Sequence, residues 1–184
     1  MCYSISAVAN YFIEKSLTEQ RGITHMHMQK MLFFAHAAYC KQTGKLLFVD
    51  PIFAWQHGPV VESLYHELKE YGNGNIRKLI QFAMPDANAE KDTVFPFRIV
   101  TPFIDKNDGE LTAYLDSVWD SLSIVETWKL RELSHQEGGA WYETVATIDM
   151  GNGKKVDPSN DEQVRKFLPR NLTILDDVIR ECGR

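Results

Sequence analysis

The sequence is poor in the residues that carry covalent or metal chemistry. It has three cysteines, Cys2, Cys40 and Cys182, odd in number and far apart, and they match no metal-ligand spacing. That usage excludes a disulfide framework and suits a reducing compartment. No run of eighteen or more uncharged apolar residues occurs, which excludes a helical membrane span. Met1-Cys2-Tyr3-Ser4 lacks the basic n-region and small-residue cleavage site of a secretory signal, so a cytoplasmic protein is expected. A phosphate-binding frame is missing too. Gly151-Asn152-Gly153-Lys154-Lys155 resembles one only superficially, and Gly72-Asn73-Gly74-Asn75 does not resemble one at all; both read as turns. Neither a long basic stretch nor an internal repeat is present, so nucleic-acid binding, which needs cations to replace condensed counterions, is not expected. The residues imply no cofactor and no metal.

What is present describes a folded domain. The chain has 184 residues, 44% of them hydrophobic and 11% aromatic, enough for one domain with a sizeable core. The net charge of −5 is unevenly spread. Residues 108–150 hold nine carboxylates against Lys129 and Arg131, so nearly all the acidity lies there. Such a segment suits a basic protein partner, through steering and complementarity. A solvated helix face that keeps the protein soluble explains it equally well.

Apolar periodicity predicts a mostly helical α+β fold: a single-domain helical bundle of seven or eight helices with a small antiparallel sheet. A first helix runs from Ile5 to Leu17, capped by Ser4. A second, from Thr24 to about Gln42 and capped by Thr24, is apolar on most sides and belongs inside the bundle. Ile76 to Met84 reads as a weaker helix. The prolines at 96 and 102 restrict Val94 to Phe103 to an edge strand or an extended arm. An acidic helix spans Asp108 to Leu122. Ser123-Ile124-Val125-Glu126 and Ser159-Asn160-Asp161-Glu162 both match a capping box. An Asn-Gly turn closes a hairpin-like stretch at 148–156, and Leu172, Leu175, Val178 and Ile179 stripe a last helix.

The most specific punctuation lies in the middle. Ile52 to Gln56 can be extended, and Gly58-Pro59 breaks it. Val61, Leu64, Tyr65 and Leu68 then recur at helical steps until Gly72. Proline suits a first helical position, so the stretch reads strand, turn, helix, stop. Trp55 and Tyr65 are expected to anchor the core.

Histidine is the remaining candidate for chemistry. His25 and His27, two apart on one helix, cannot chelate together. His36 and Cys40 have i, i+4 spacing but sit in the most apolar helix, where packing is the plainer role. His57 and His135 each flank a glycine-containing turn next to a tryptophan. Either could be a general base, or could hold its turn by a backbone hydrogen bond. No serine or cysteine sits in a nucleophile-elbow setting, so a binding protein is the default reading.

Three blocks together resemble one family, the Panacea antitoxin domain of phage-associated, SocA-like proteins. They are Ile23 to His36 with Gln29-Lys30, then Trp55 to Gly72 with His57, Gly58, Pro59, Val60, Leu64, Tyr65 and Tyr71, then Leu133-Ser134-His135 with Trp141. The resemblance covers about residues 5–146, leaving C-terminal helices at 159–182 to pack on that core. His27 stands where the family often has lysine, and Met26, Met28 and Met31 replace its leucines. The resemblance implies a helical domain that neutralises a cognate protein toxin, encoded by an adjacent gene, through direct binding. One branch of the family is instead a proteolytic adaptor that delivers its client to an AAA+ protease. A hydrolase using His57 and His135 is a third reading. The named motif residues are expected to build the scaffold. The acidic residues Asp108, Glu110, Asp116 and Asp120 are expected to face the partner.

Overall fold

The computed structural model describes residues 3–89, 94–151 and 153–181. Its first helix, α1 (Ile5–Thr18), starts where Ser4 accepts the Ala7 N–H; the second, α2 (His25–Thr43), starts where Thr24 accepts the His27 N–H. Each cap satisfies one of the donors that a helix start leaves unpaired. Gly44, left-handed at φ +70°, ends α2. As its all-round apolar pattern predicts, α2 is central and packs on α1 and on most of the later helices.

After α2 come β1 (Ile52–Trp55), β2 (Gly58–Val61), α3 (Glu62–Leu68) and a 3-10 turn at Lys69–Tyr71. A two-stranded hairpin, β3 (Phe82–Pro85) and β4 (Phe97–Val100), precedes α4 (Gly109–Leu122), α5 (Thr127–Ser134) and α6 (Ala140–Val145). The chain then forms α7 (Asp161–Phe167), the short strand β5 (Thr173–Ile174) and α8 (Asp176–Glu181). The main sheet is antiparallel, in the order β2-β1-β5. Val8, Phe12, Met28, Leu32, Leu115 and Trp119 are fully buried where α1, α2 and α4 meet, with Phe12 stacked on Trp119 at 6.4 Å. Each such side chain contributes roughly 1.5–3 kcal/mol by leaving water. α8 packs on α2 and α6, so the C-terminal segment joins the same body.

Several expectations need correction. Pro59 does not open a helix: it lies in β2 opposite Ala54, and α3 begins three residues later at Glu62. Proline is tolerated there because the fold gives its missing N–H no partner to supply. Ile76 to Met84 is not helical; Ile76 and Ile80 anchor a loop in the core, and the residues after it form β3. Neither expected capping box forms. α5 starts at Thr127 without a side-chain cap, and α7 is capped by Asn160, one residue after the serine. The segment before α8 is strand β5, and Leu175 is 62% exposed. The hairpin at 148–156 reduces to one bridge, Asp149 to Lys155; Asn152 of its turn, like Cys2 and Cys182, lies outside the described residues.

Candidate functional site

The three motif blocks meet at the β1–β2 hairpin. A two-residue turn, Gln56-His57, joins Trp55 to Gly58, which takes φ +99°. The second edge of β2 faces α2 and not another strand, so its backbone groups need other partners. Gln29 supplies two: its Oε1 accepts the Val61 N–H at 2.8 Å and its Nε2 donates to the Val61 carbonyl at 3.2 Å. One carboxamide thereby replaces a neighbouring strand. Lys30, only 1% exposed, donates from Nζ to the Pro59 carbonyl at 2.8 Å. Burial, helped by the Arg131 charge, pushes the Lys30 ammonium down to about 7.

The third block grips the turn from the opposite side. Trp141, 1% exposed, donates from Nε1 to the Trp55 carbonyl at 2.9 Å. Its ring lies 3.8 Å from that of His135. His135 is wedged between two carbonyls, with Nδ1 2.7 Å from Arg131 O and Nε2 3.3 Å from Gln56 O. Burial pushes its pKa down to about 4, with the Arg131 and Lys30 charges acting the same way against those two carbonyls. The ring is therefore neutral at pH 7. It has one N–H for two carbonyls, and the shorter contact, 2.7 Å against 3.3 Å, favours Nδ1 as the donor, to the Arg131 carbonyl. Ser134 Oγ donates to the same carbonyl at 2.7 Å.

Gly58 is the point of closest approach. A Cβ there would stand 2.8 Å from Lys30 Nζ, 2.8 Å from Ser134 Oγ and 2.9 Å from His135 Cε1. The site thus needs glycine twice over, for its backbone angle and for its space. His57, by contrast, points outward and is exposed. The structure does not bring His57 and His135 together as a catalytic pair. It shows His135 holding backbone and His57 on the rim of a cleft.

That cleft, about 940 Å³, runs beside the hairpin. Trp55 and Tyr65 form its wall, edge to face at 4.9 Å, with His25 a further 4.9 Å from Tyr65. Both are half-buried and line the cleft, whereas the sequence pattern placed them in the core. Val60 and Leu64 are buried as expected, at 7% and 0% exposed, and Gly72 ends the 3-10 turn at φ +50° beside the half-buried Tyr71. The sequence reading missed Trp128, 62% exposed, and Arg165 and Arg170, which complete the cleft from α5, α7 and the segment after it. A tryptophan off the stripe of its own helix was the available signal.

The model for the antitoxin SocA-like Panacea domain matches residues 28–142, more than half of the chain. The protein belongs to this family. It is also 25% identical over 135 residues to the antitoxin SocA of Caulobacter vibrioides (strain NA1000 / CB15N), an alignment covering 73% of this chain and 66% of that protein. The chain therefore spans slightly less than two thirds of that relative's length. The side chains that hold β2 and the turn lie inside the Panacea stretch, whereas the other edge of β1 pairs with β5, outside it. Among the described residues no helix is long and apolar enough to cross a membrane.

The acidic residues lie elsewhere. α4 packs on α1 and α2, with Tyr114 against Tyr39 and the Leu122 carbonyl 3.1 Å from His27 Nε2. Asp108 caps α4 through the Leu111 N–H and accepts the Tyr3 hydroxyl at 3.3 Å. Asp116 accepts the Tyr11 hydroxyl at 2.7 Å and pairs with Lys15 at 2.6 Å. Burial raises the Asp116 carboxyl, but these two partners win and hold it below the usual range. Both residues are engaged in the fold. Glu110 and Asp120 are exposed.

Proposed function

We propose that this Panacea-family protein is an antitoxin that neutralises a cognate protein toxin by binding it directly. The observation that carries this reading is the family match across residues 28–142, together with the similarity to the antitoxin SocA. The geometry supports it in two ways. The family's most distinctive residues, Gln29, Lys30, Gly58, His135 and Trp141, satisfy and space one hairpin, which is the work of a scaffold. The hydrolase reading gains no support from His135, whose two ring nitrogens face the Arg131 and Gln56 carbonyls. Partner choice then falls to exposed surface. Glu110 and Asp120 on α4, free of the internal roles of Asp108 and Asp116, are the carboxylates suited to a basic toxin face.

The test is co-expression with the neighbouring open reading frame. The neighbour alone should arrest growth, and this protein should restore it at an unchanged toxin half-life. A harmless neighbour, or arrest that persists, defeats the reading. Rescue that requires an AAA+ protease and shortens the toxin's half-life would replace direct neutralisation with the adaptor role.

A further inference from the structure

Deep in the cleft beside the β1–β2 hairpin the polar groups have internal partners. Lys30, the buried cation of the lining, is committed to the Pro59 carbonyl, and Gln29 to Val61. The outer lining has no such work in the fold. Trp128 is 62% exposed, away from Leu130 and Ser134, the buried residues of α5. With Trp55, Tyr65, Leu168 and Pro169 it gives the cleft an apolar, largely aromatic wall. Accessible rings in a concave site are the side chains that anchor partners, because they bring large contact area at small entropic cost. The charge of the lining is opposite to that of the chain. Lys69, Arg165 and Arg170 are exposed, and none has a carboxylate partner among the described residues; Lys69 meets only His66, at 3.5 Å. Glu62, the carboxylate in the lining, faces His66 at 4.0 Å. Three cations against one carboxylate make a basic strip on a protein of net charge −5. Charges of one sign along an apolar cleft raise the local concentration of the opposite charge.

We propose that this cleft binds an extended acidic segment of a protein partner, with a large apolar side chain against the aromatic wall and carboxylates at Lys69, Arg165 and Arg170. The lining favours a peptide over a compact anion. Its exposed cations stand on separate elements, the 3-10 turn after α3, α7 and the segment after α7, and so match charges spaced along a chain. The one buried cation, Lys30, already has its acceptor. At about 940 Å³ the cleft also lies at the top of the range of about 300–1,000 Å³ that drug-sized molecules fill. No residue of α4 lines it, so this surface is separate from Glu110 and Asp120. Those carboxylates suit a basic face, whereas the cleft suits an acidic strand. Peptide binding can fail while toxin neutralisation stands, and the reverse.

Selection of random short peptides, displayed on phage, against the full chain tests this. Enriched peptides should carry Trp, Tyr or Phe flanked by Asp and Glu. A fluorescein-labelled peptide from that set should bind the wild type with an affinity that falls as salt rises. W128A and R165E/R170E should each weaken binding about tenfold or more. Their circular dichroism spectra should be unchanged, since all three side chains are exposed. R98E/K106E makes the same change in net charge at exposed residues outside the cleft and should bind like the wild type. No enrichment, or enrichment of basic peptides, overturns the proposal, as does wild-type affinity in either cleft variant. An equal loss in R98E/K106E reduces the effect to net charge and overturns it too. Displacement of the peptide by equimolar ATP would assign the cleft to a nucleotide, and a wild-type dimer that W128A makes monomeric would assign it to a second copy; both overturn it.

Discussion

Replacing Gly58 with alanine should strongly destabilise the fold. The φ of +99° already disfavours a side chain, and left-handed backbone costs alanine about 1–2 kcal/mol. The new Cβ would also stand 2.8–2.9 Å from three atoms. None can retreat freely: Lys30 Nζ is held by Pro59 O, Ser134 Oγ by Arg131 O, and His135 lies against Trp141. Forcing a methyl into such a place costs about 1–3 kcal/mol more. The total is roughly 2–5 kcal/mol, a large share of the stability of a domain this size. Gly44→Ala provides the control, because Gly44 has φ +70° with nothing within 4 Å of its hypothetical Cβ. It should lose only about 1 kcal/mol, part of it offset by a less flexible unfolded chain. Urea unfolding of both variants measures the difference. If Gly58→Ala is no worse than Gly44→Ala, the clamp around the turn is not tight and the reasoning fails.

Lys30 should make stability pH-dependent. Its folded pKa of about 7 lies below the ordinary lysine value, so the unfolded chain holds that proton more firmly. Stability should therefore rise as pH climbs from about 7 towards 10, by up to about 1.4 kcal/mol per unit, and stay flat in this respect below 7. Urea titrations between pH 6 and 9 should show that slope in the wild type and its loss in Lys30→Met; parallel curves would contradict the assignment. Trp141→Phe removes the donor to the Trp55 carbonyl and should cost about 1–3 kcal/mol, read as a lower melting temperature. Glu110→Lys with Asp120→Lys should leave folding within about 0.5 kcal/mol, since both residues are exposed. The same pair should slow toxin association most at low salt, a change visible by stopped flow.

Much of the helical frame is legible in periodicity and caps. Ser4 and Thr24 cap where expected, because a short polar side chain before an apolar stripe is a local signal. The central place of α2 follows from its lack of a polar face. Pro59 misled because proline suits both a first helical turn and a strand position whose N–H is not needed, and only the pairing with Ala54 decides between them. The 76–84 segment misled because two buried isoleucines, Ile76 and Ile80, sit four apart in a loop. The site was legible as a set of residues but not as a mechanism. Gln29 reads as a polar residue on an apolar helix; that it replaces a strand becomes visible only once Val61 is placed against it. Likewise nothing local distinguishes His57, exposed, from His135, half-buried between two carbonyls. Asp108 and Asp116 share a helix with Glu110 and Asp120, yet Tyr3, Tyr11 and Lys15, distant in sequence, determine which carboxylates remain available.

Direct binding is the central claim, and calorimetric titration of the purified protein into the purified product of the adjacent gene tests it most directly. A saturable, stoichiometric complex that forms without protease or ATP and abolishes the toxin's activity is the predicted result. Toxin activity that is unchanged at saturation, or no heat of binding in a pair that rescues growth in cells, would contradict the account.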